Sequence, residues 1–133
     1  MYRPIFLLLS ACLYGCGGGG GDSTPTGPTS NVSFASSIQP IFTSFCISCH
    51  QAGGTSAFLP LTTSVSYSNL VNKTSTQPSG GTLVIPGNSA DSVLYKRISG
   101  SSVGDQMPKG LPPLGTTDQN LIKTWIDEGA KNN

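Results

Sequence analysis

The stretch Cys46-Ile47-Ser48-Cys49-His50 is the most informative part of this chain. It brings two thiols and the chain's one histidine into five consecutive positions. Side chains three and four positions apart on a helical turn lie on one face, so the two thiols can reach a common partner. A C-x-x-C pair is also found in dithiol redox sites and in zinc sites. A thioredoxin-like dithiol would need a surrounding βαβ pattern, and a structural zinc ion would need four ligands. The sequence supplies neither a second C-x-x-C pair nor a second histidine.

The complete pattern C-x-x-C-H is the attachment sequence of a c-type haem. Cys46 and Cys49 would form thioethers with the vinyl groups at the edge of one porphyrin. His50, the next residue, would lie beneath the ring and coordinate the iron. The sequence therefore predicts one covalently bound haem c, held by the two cysteines and ligated by the histidine.

The N-terminal residues are predicted to form an export signal. Arg3 supplies a positive charge, and an almost unbroken apolar run follows over residues 5–14. That run is too short to span a bilayer stably as a helix. An apolar segment, a small residue, a cysteine and a glycine run resemble a bacterial lipoprotein signal, in which the cysteine becomes the lipid-modified first residue. Residues 1–15 would be the signal peptide, and Cys16 would be the lipidated residue.

Two cysteines compete for lipidation. Leu9-Ser10-Ala11-Cys12 fits the processing box of lipoprotein signals better, whereas Leu13-Tyr14-Gly15-Cys16 contains a bulky tyrosine. Cleavage before Cys12 would leave an unusually short signal and a spare thiol at position 16. Cys16 is therefore favoured, and Cys12 is the alternative. A secretory signal without a lipid would lead to the same compartment.

The remaining chain divides into a tether and one small domain. Residues 16–31 are rich in Gly, Ser, Thr and Pro and carry no apolar pattern, which is typical of a flexible linker. Residues 32–133 suit a single all-α domain with long irregular loops. The first expected helix begins near Ser36 or Ser37 and leads into the motif, and a short helix or turn is expected over residues 65–71. A third helix is expected over residues 89–98, with Ser89 as its cap. The last is expected over residues 116–128, with Thr116 or Thr117 as its cap.

Four pieces of this domain, in order, resemble a single-haem class I cytochrome c, especially the small bacterial haem domains found in lipoproteins. They are Ile38-Gln39-Pro40-Ile41-Phe42 before the haem motif, residues 86–98, Met107-Pro108, and Trp125-Ile126-Asp127-Glu128-Gly129-Ala130. The resemblance implies a domain wrapped around one haem, with the first and last helices packed against each other beside it. The position of the motif disfavours the four-helix-bundle cytochromes, in which attachment lies near the C-terminus. The implied function is single-electron transfer rather than catalysis.

The second axial ligand of the iron is predicted to be Met107. His50 is the only histidine, so one subunit cannot supply two, and Met107 is the only methionine that remains after signal removal. The resemblance implies a distal sulfur at this late position, and Pro108 restricts the backbone of the residue before it. The alternatives are Lys109, another lysine, or a vacant or water-filled position, with Met107 serving only as packing.

Three further residues carry expectations about the haem surroundings. His50 needs an acceptor for its other ring nitrogen, and in cytochromes c a proline carbonyl shortly after the motif often serves, for which Pro60 is the matching residue. Arg97 is a candidate partner for a haem propionate, and the alternative is a solvated surface residue. Trp125 is expected in the core, near the first helix and the haem edge.

Charge and composition limit the partners. Of seven basic residues, Arg3 leaves with the signal, so six remain against six acidic residues. Without clustered Lys and Arg no nucleic-acid partner is expected, nor is strong electrostatic steering of a redox partner. The sequence predicts a lipid-anchored electron carrier on the periplasmic side of a bacterial membrane, with transient redox protein partners. The alternatives are a haem sensor or peroxidase-like protein with an open sixth iron site, and a fixed electron relay within a larger complex.

Overall fold

The computed structural model describes residues 31–77, 80–100 and 103–133. The predicted signal peptide, the lipidation candidates Cys12 and Cys16, and the tether up to residue 30 lie outside these ranges. The described ranges contain four α-helices and isolated β-bridges but no strand, which confirms the predicted all-α class for this part of the chain. The helices are Gln39–Phe45 (α1), Ser66–Leu70 (α2), Val93–Ser99 (α3) and Thr116–Asp127 (α4). Not one of the described helices has the length and apolar character needed to cross a membrane.

The first helical segment begins earlier than predicted. The hydroxyl of Ser33 accepts a hydrogen bond from the Ser36 N–H at 3.2 Å, and a π-helical turn, Phe34–Ile38, leads directly into α1. Ser33 is therefore the N-cap, and the prediction of Ser36 or Ser37 was wrong because an earlier hydroxyl already satisfies the free amide. Pro40 lies in the first turn of α1, just after the π-helical turn.

α3 is shorter than predicted, because its expected first turn is not helical. The Asn88 Oδ1 atom accepts a hydrogen bond from the Asp91 N–H at 3.0 Å, and the Ser92 N–H donates to the Ser89 carbonyl at 3.1 Å. Such local side-chain bonds compete with helix formation. Ser92, rather than Ser89, is consequently the N-cap, while Gly100 ends the helix at φ +80° as expected.

The bounds of the other two helices agree with the predictions to within a residue. α2 lies inside the predicted segment 65–71. In α4 the N-cap is Gly115 and not the predicted Thr116 or Thr117, and no side chain makes a capping hydrogen bond. Gly129 follows the helix at φ +101°, a conformation that favours glycine.

The core joins the first and last helical segments, as the sequence led us to expect. The ring centroid of Phe34 lies 5.2 Å from that of Trp125 and 5.3 Å from that of Tyr67. The Trp125 indole N–H donates to the Lys131 carbonyl, and the Tyr67 hydroxyl donates to the Ala130 carbonyl, each at 2.9 Å. These bonds satisfy the polar ends of the two aromatic side chains inside an apolar cluster. The segment after α4 is thereby held against the core.

Candidate functional site

A cavity of about 370 Å³ lies beside the C-terminal end of α1. Cys46, Cys49, His50 and Met107 all line it. Cofactor and small-molecule sites in proteins occupy roughly 300–1,000 Å³. The fold thus brings the distant methionine and the C-x-x-C-H motif to the same cavity.

The motif forms a compact turn that continues from α1. The Cys46 N–H donates to the Phe42 carbonyl at 2.9 Å, in the pattern of the helix. The N–H groups of Cys49 and His50 then both donate to the Cys46 carbonyl, at 3.1 and 2.9 Å. The chain therefore keeps a helical turn through the motif, which is why all three of its reactive side chains reach the cavity.

The orientation of the His50 ring is set by one hydrogen bond, between its Nδ1 atom and the Leu59 carbonyl oxygen at 2.9 Å. Because a carbonyl can only accept, Nδ1 carries the proton and Nε2 keeps its lone pair. The predicted acceptor, Pro60, was wrong by one residue, since its carbonyl accepts from the Asn69 amide at 2.9 Å. The Leu61 N–H donates to the His50 carbonyl at 2.8 Å, and this pairing places residue 59 beside the ring.

A buried glutamine, Gln39, forms hydrogen bonds that hold the loop segment containing the Leu59 carbonyl. Gln39 is 5% exposed; its Nε2 atom donates to the Leu61 carbonyl at 3.1 Å, and its Oε1 atom accepts from the Ser66 hydroxyl. The amide thus links α1 to the loop after the motif and to α2. The sequence indicated no contact for Gln39 beyond its place in the stretch Ile38-Gln39-Pro40-Ile41-Phe42. One feature of the sequence could have indicated that Gln39 is buried. It is a polar residue within the apolar face of the helix, next to Ile38 and three positions before Phe42.

Met107 lies half-buried in a loop that returns to the cavity from α3. Its N–H donates to the Arg97 carbonyl at 2.9 Å, and the peptide bond between Met107 and Pro108 is cis. Lys109, the alternative ligand, is exposed, and its Nζ atom lies 2.6 Å from an Asp105 carboxylate oxygen. The hydrogen bond and charge of Lys109 hold the pKa of Asp105 below its usual value. In this structure the lysine is therefore engaged by a carboxylate.

The large apolar side chains that the described part of the chain exposes are gathered at this cavity. Phe45, Phe58 and Leu111 are 41%, 59% and 55% exposed, and all three line it. Exposed apolar groups that cluster at one concave site are typical of a ligand-binding surface. An apolar ligand in the cavity would cover part of these side chains. Together with two thiols, an imidazole with a free Nε2 and a thioether, they make a donor set and a lining that fit a haem.

The site gives little support to the two alternatives to haem, which are a redox-active dithiol and a structural zinc ion. Burial raises the pKa of the Cys46 thiol to about 11, and the neighbouring Cys49 adds to the shift. A thiol with so high a pKa is protonated near neutral pH, whereas redox dithiols depend on a readily formed thiolate. Across residues 31–77, 80–100 and 103–133, no three His, Cys, Asp or Glu side chains are arranged to hold a metal ion by themselves.

The other predicted residues divide between the cavity and the core. Arg97 lines the cavity, as its proposed role requires, and its Nη1 atom donates to the Asp105 carbonyl at 3.2 Å. Trp125 packs against Phe34 and Tyr67 and is not among the residues that line the cavity. Its expected contact with the first helical segment is confirmed, and its expected place near the haem edge stays a prediction.

Comparison with protein-family models, with curated proteins and with solved structures found no match to this chain. The case for a function is made by the residues themselves and by their geometry.

Proposed function

We propose that this protein is a monohaem c-type cytochrome that carries single electrons. The observation that carries the proposal is the convergence of Cys46, Cys49, His50 and Met107 on one cavity. The two cysteines would hold the haem through thioethers, and the histidine Nε2 and methionine Sδ atoms would be its axial ligands. The likeness to class I cytochromes c in the order of the sequence pieces supports the same assignment.

The chain's own residues would tune a cofactor whose iron, when bound, supplies the one-electron chemistry. The Leu59 carbonyl fixes the tautomer and orientation of His50 and increases the basicity of the coordinating nitrogen. The thioether of Met107 is a soft, neutral ligand, which raises the reduction potential relative to a second histidine or water. The apolar side chains of the lining would keep water from part of the haem, which would disfavour the more highly charged oxidation state.

The exposed side chains at the cavity suit a brief encounter with a redox partner. Phe45, Phe58 and Leu111 would leave one edge of the bound haem accessible through a small apolar opening. Transient electron-transfer contacts are among the smallest protein interfaces. The nearly balanced charge of the mature chain fits a partner that is not selected by strong electrostatic attraction.

We further propose that the domain is exported and attached by a lipid to the periplasmic side of a bacterial membrane. The support is the short apolar N-terminal run, the cysteine at position 16 and the glycine run after it. A flexible linker of about fifteen residues spans roughly 20 Å, which would let the domain turn toward different partners near the membrane.

Covalent attachment is the property that tests the haem assignment. Purified wild-type protein, denatured and measured by intact mass spectrometry, should carry the mass of one haem on the chain, and acidified organic solvent should not extract it. Replacing both motif cysteines, Cys46→Ala with Cys49→Ala, should abolish attachment. Ser48→Ala, within the same turn, should leave attachment unchanged. Haem that extracts freely from the wild type would contradict the proposal.

The runner-up is a haem sensor or peroxidase-like protein with an open sixth site. Such a protein would need the iron position facing Met107 to be free, whereas this side chain lines the cavity. High-spin ferric haem that shifts on addition of cyanide, imidazole or carbon monoxide would favour the runner-up.

A further inference from the structure

Arg97 connects the loop that carries Met107 to the end of α3. We call residues 103–109 of this loop the strap. The Met107 N–H donates to the Arg97 carbonyl at 2.9 Å, and the Arg97 Nη1 atom donates to the Asp105 carbonyl at 3.2 Å. One residue of α3 therefore holds the strap at Met107 itself and at a point two residues before it.

The guanidinium of Arg97 also lies directly on the strap backbone at Gly104. A Cβ atom at this position would be only 2.7 Å from the Arg97 Cζ and Nη2 atoms, so the guanidinium would have to move away to make room for it. Gly104 has φ +113°, a conformation that L-residues rarely adopt. The close approach and the hydrogen bond to Asp105 together define a seat for the guanidinium on the strap.

The other described contacts of the strap with α3 are weaker. The Gln106 Nε2 atom donates to the Ile98 carbonyl at 3.4 Å, a long distance for a hydrogen bond. The ion pair between Lys109 and Asp105 is exposed and lies within the strap, so it does not attach the strap to the helix. Arg97 is therefore the main attachment point that a side chain provides.

We propose that Arg97 is the positioning residue for Met107: its guanidinium keeps the strap closed on the cavity and limits exchange of the sulfur for other ligands. This inference rests on the proposed function, because it assumes an iron ligated by Met107. A competing ligand binds the iron only when the strap is open. Its apparent Kd is therefore the intrinsic Kd divided by the fraction of molecules in which the strap is open. Weakening the seat raises that fraction, so a competing ligand should displace the sulfur at lower concentration.

The test is an imidazole titration of the ferric holoprotein, followed by loss of the far-red sulfur-to-iron band. Arg97→Gln removes the guanidinium, and Lys96→Gln is its matched control. Lys96 lies in the same last turn of α3 and carries the same charge, but its Nζ atom faces Asp91 at 3.6 Å. Hydrogen bonds from charged donors are stronger than neutral ones, so Arg97→Gln should lower the imidazole midpoint about tenfold. Lys96→Gln should leave it unchanged.

A second pair of variants reaches the seat without removing the arginine. Gly104→Ala and Gly110→Ala both place a side chain at a positive φ, of +113° and +75°. The new Cβ atom meets the Arg97 guanidinium at position 104 and meets nothing within 4 Å at position 110. Gly104→Ala should therefore lower the imidazole midpoint more than Gly110→Ala. In the Arg97→Gln background the backbone strain of Gly104→Ala remains but its clash with the guanidinium is gone, so the change should lower the midpoint by less than it does in wild type.

The outcomes separate this inference from the proposed function. If wild type shows the far-red band and Arg97→Gln has the midpoint of Lys96→Gln, the positioning role is wrong and the proposed function stands. A lower melting temperature with an unchanged midpoint would likewise assign Arg97 to general stability alone. If wild type has no far-red band and binds imidazole without losing one, both the Met107 ligation and the role of Arg97 are overturned.

Discussion

Replacement of the buried amide of Gln39 by a hydrocarbon, Gln39→Leu, should destabilise the domain far more than its position on a short helix suggests. The amide donates to the Leu61 carbonyl and accepts from the Ser66 hydroxyl, and Ser66 is 0% exposed. Leucine is close to glutamine in size, so the change leaves little empty space. It removes these two hydrogen bonds, together with a longer one of 3.5 Å from Gln39 Nε2 to the exposed Thr43 hydroxyl, and leaves two polar partners inside the protein.

The magnitude follows from those two partners. A buried donor or acceptor that loses its partner costs about 1–3 kcal/mol. Additional apolar burial by leucine offsets roughly 1 kcal/mol of this. With two such partners, the free energy of unfolding should therefore fall by about 1–5 kcal/mol. The Leu61 N–H also donates to the His50 carbonyl, so the variant should loosen the segment that orients the histidine.

Urea unfolding of the holoprotein, followed by far-ultraviolet circular dichroism, measures this change. Gln51→Leu is the matched control; that side chain is exposed, so its effect should stay within about 0.5 kcal/mol. In the double variant Gln39→Leu with Ser66→Ala, the unpaired hydroxyl is gone, so the total loss should be smaller than the sum of the single losses by about 1 kcal/mol. Equal effects of Gln39→Leu and Gln51→Leu would refute the reasoning.

Three further predictions concern pH, thiol reactivity and the N-terminus. Although its partial burial raises the pKa of Asp127, hydrogen bonds, first among them that of Lys123, lower it overall. The contribution of Asp127 to the free energy of unfolding is thus fully present above the pKa of about 3.9 that its carboxyl has in the unfolded chain. This contribution is lost as the pH falls through the lower pKa of the folded protein. Asp127→Asn should cost up to about 1 kcal/mol at pH 7 and nothing in strong acid, as measured by urea unfolding; a pH-independent difference would contradict this. In apoprotein at pH 8, iodoacetamide should alkylate Cys49 before Cys46, because burial raises the pKa of Cys46 to about 11; peptide mass analysis showing equal rates would be inconsistent. Intact mass of the mature protein should show a fatty-acylated N-terminal Cys16, and an unacylated start would remove the anchor.

Local sequence rules were sufficient for the type of most elements and for the turn at the motif. The apolar spacing of α4 predicts its buried face, and the structure buries Ile122, Trp125 and Ile126 there. The arrival of Met107 at the cavity could be anticipated because the chain offers few other iron ligands. That inference used the chemistry of the ligands, so it did not need the path of the loop.

Local sequence rules could not predict the long-range hydrogen bonds. The acceptor of His50 is Leu59 and not Pro60, because pairing of the Leu61 N–H with the His50 carbonyl sets the register of the loop. No local preference encodes that register. The seat of Arg97 on Gly104 likewise depends on a glycine whose conformation cannot be read from its neighbours. Residue type therefore predicted which side chains line the cavity better than it predicted the contacts that hold them.

The central claim is that His50 and Met107 are the two axial ligands of a covalently bound haem. The direct measurement compares wild type with Met107→Ala in the ferric spectrum, in the reduction potential and in carbon monoxide binding by the ferrous protein. Wild type should show the far-red sulfur-to-iron band and bind carbon monoxide poorly. The variant should keep its covalent haem, lose the band, have a lower potential and bind carbon monoxide readily. A wild type that binds carbon monoxide readily, with a variant of the same spectrum and potential, would contradict the account and leave Met107 as a packing residue.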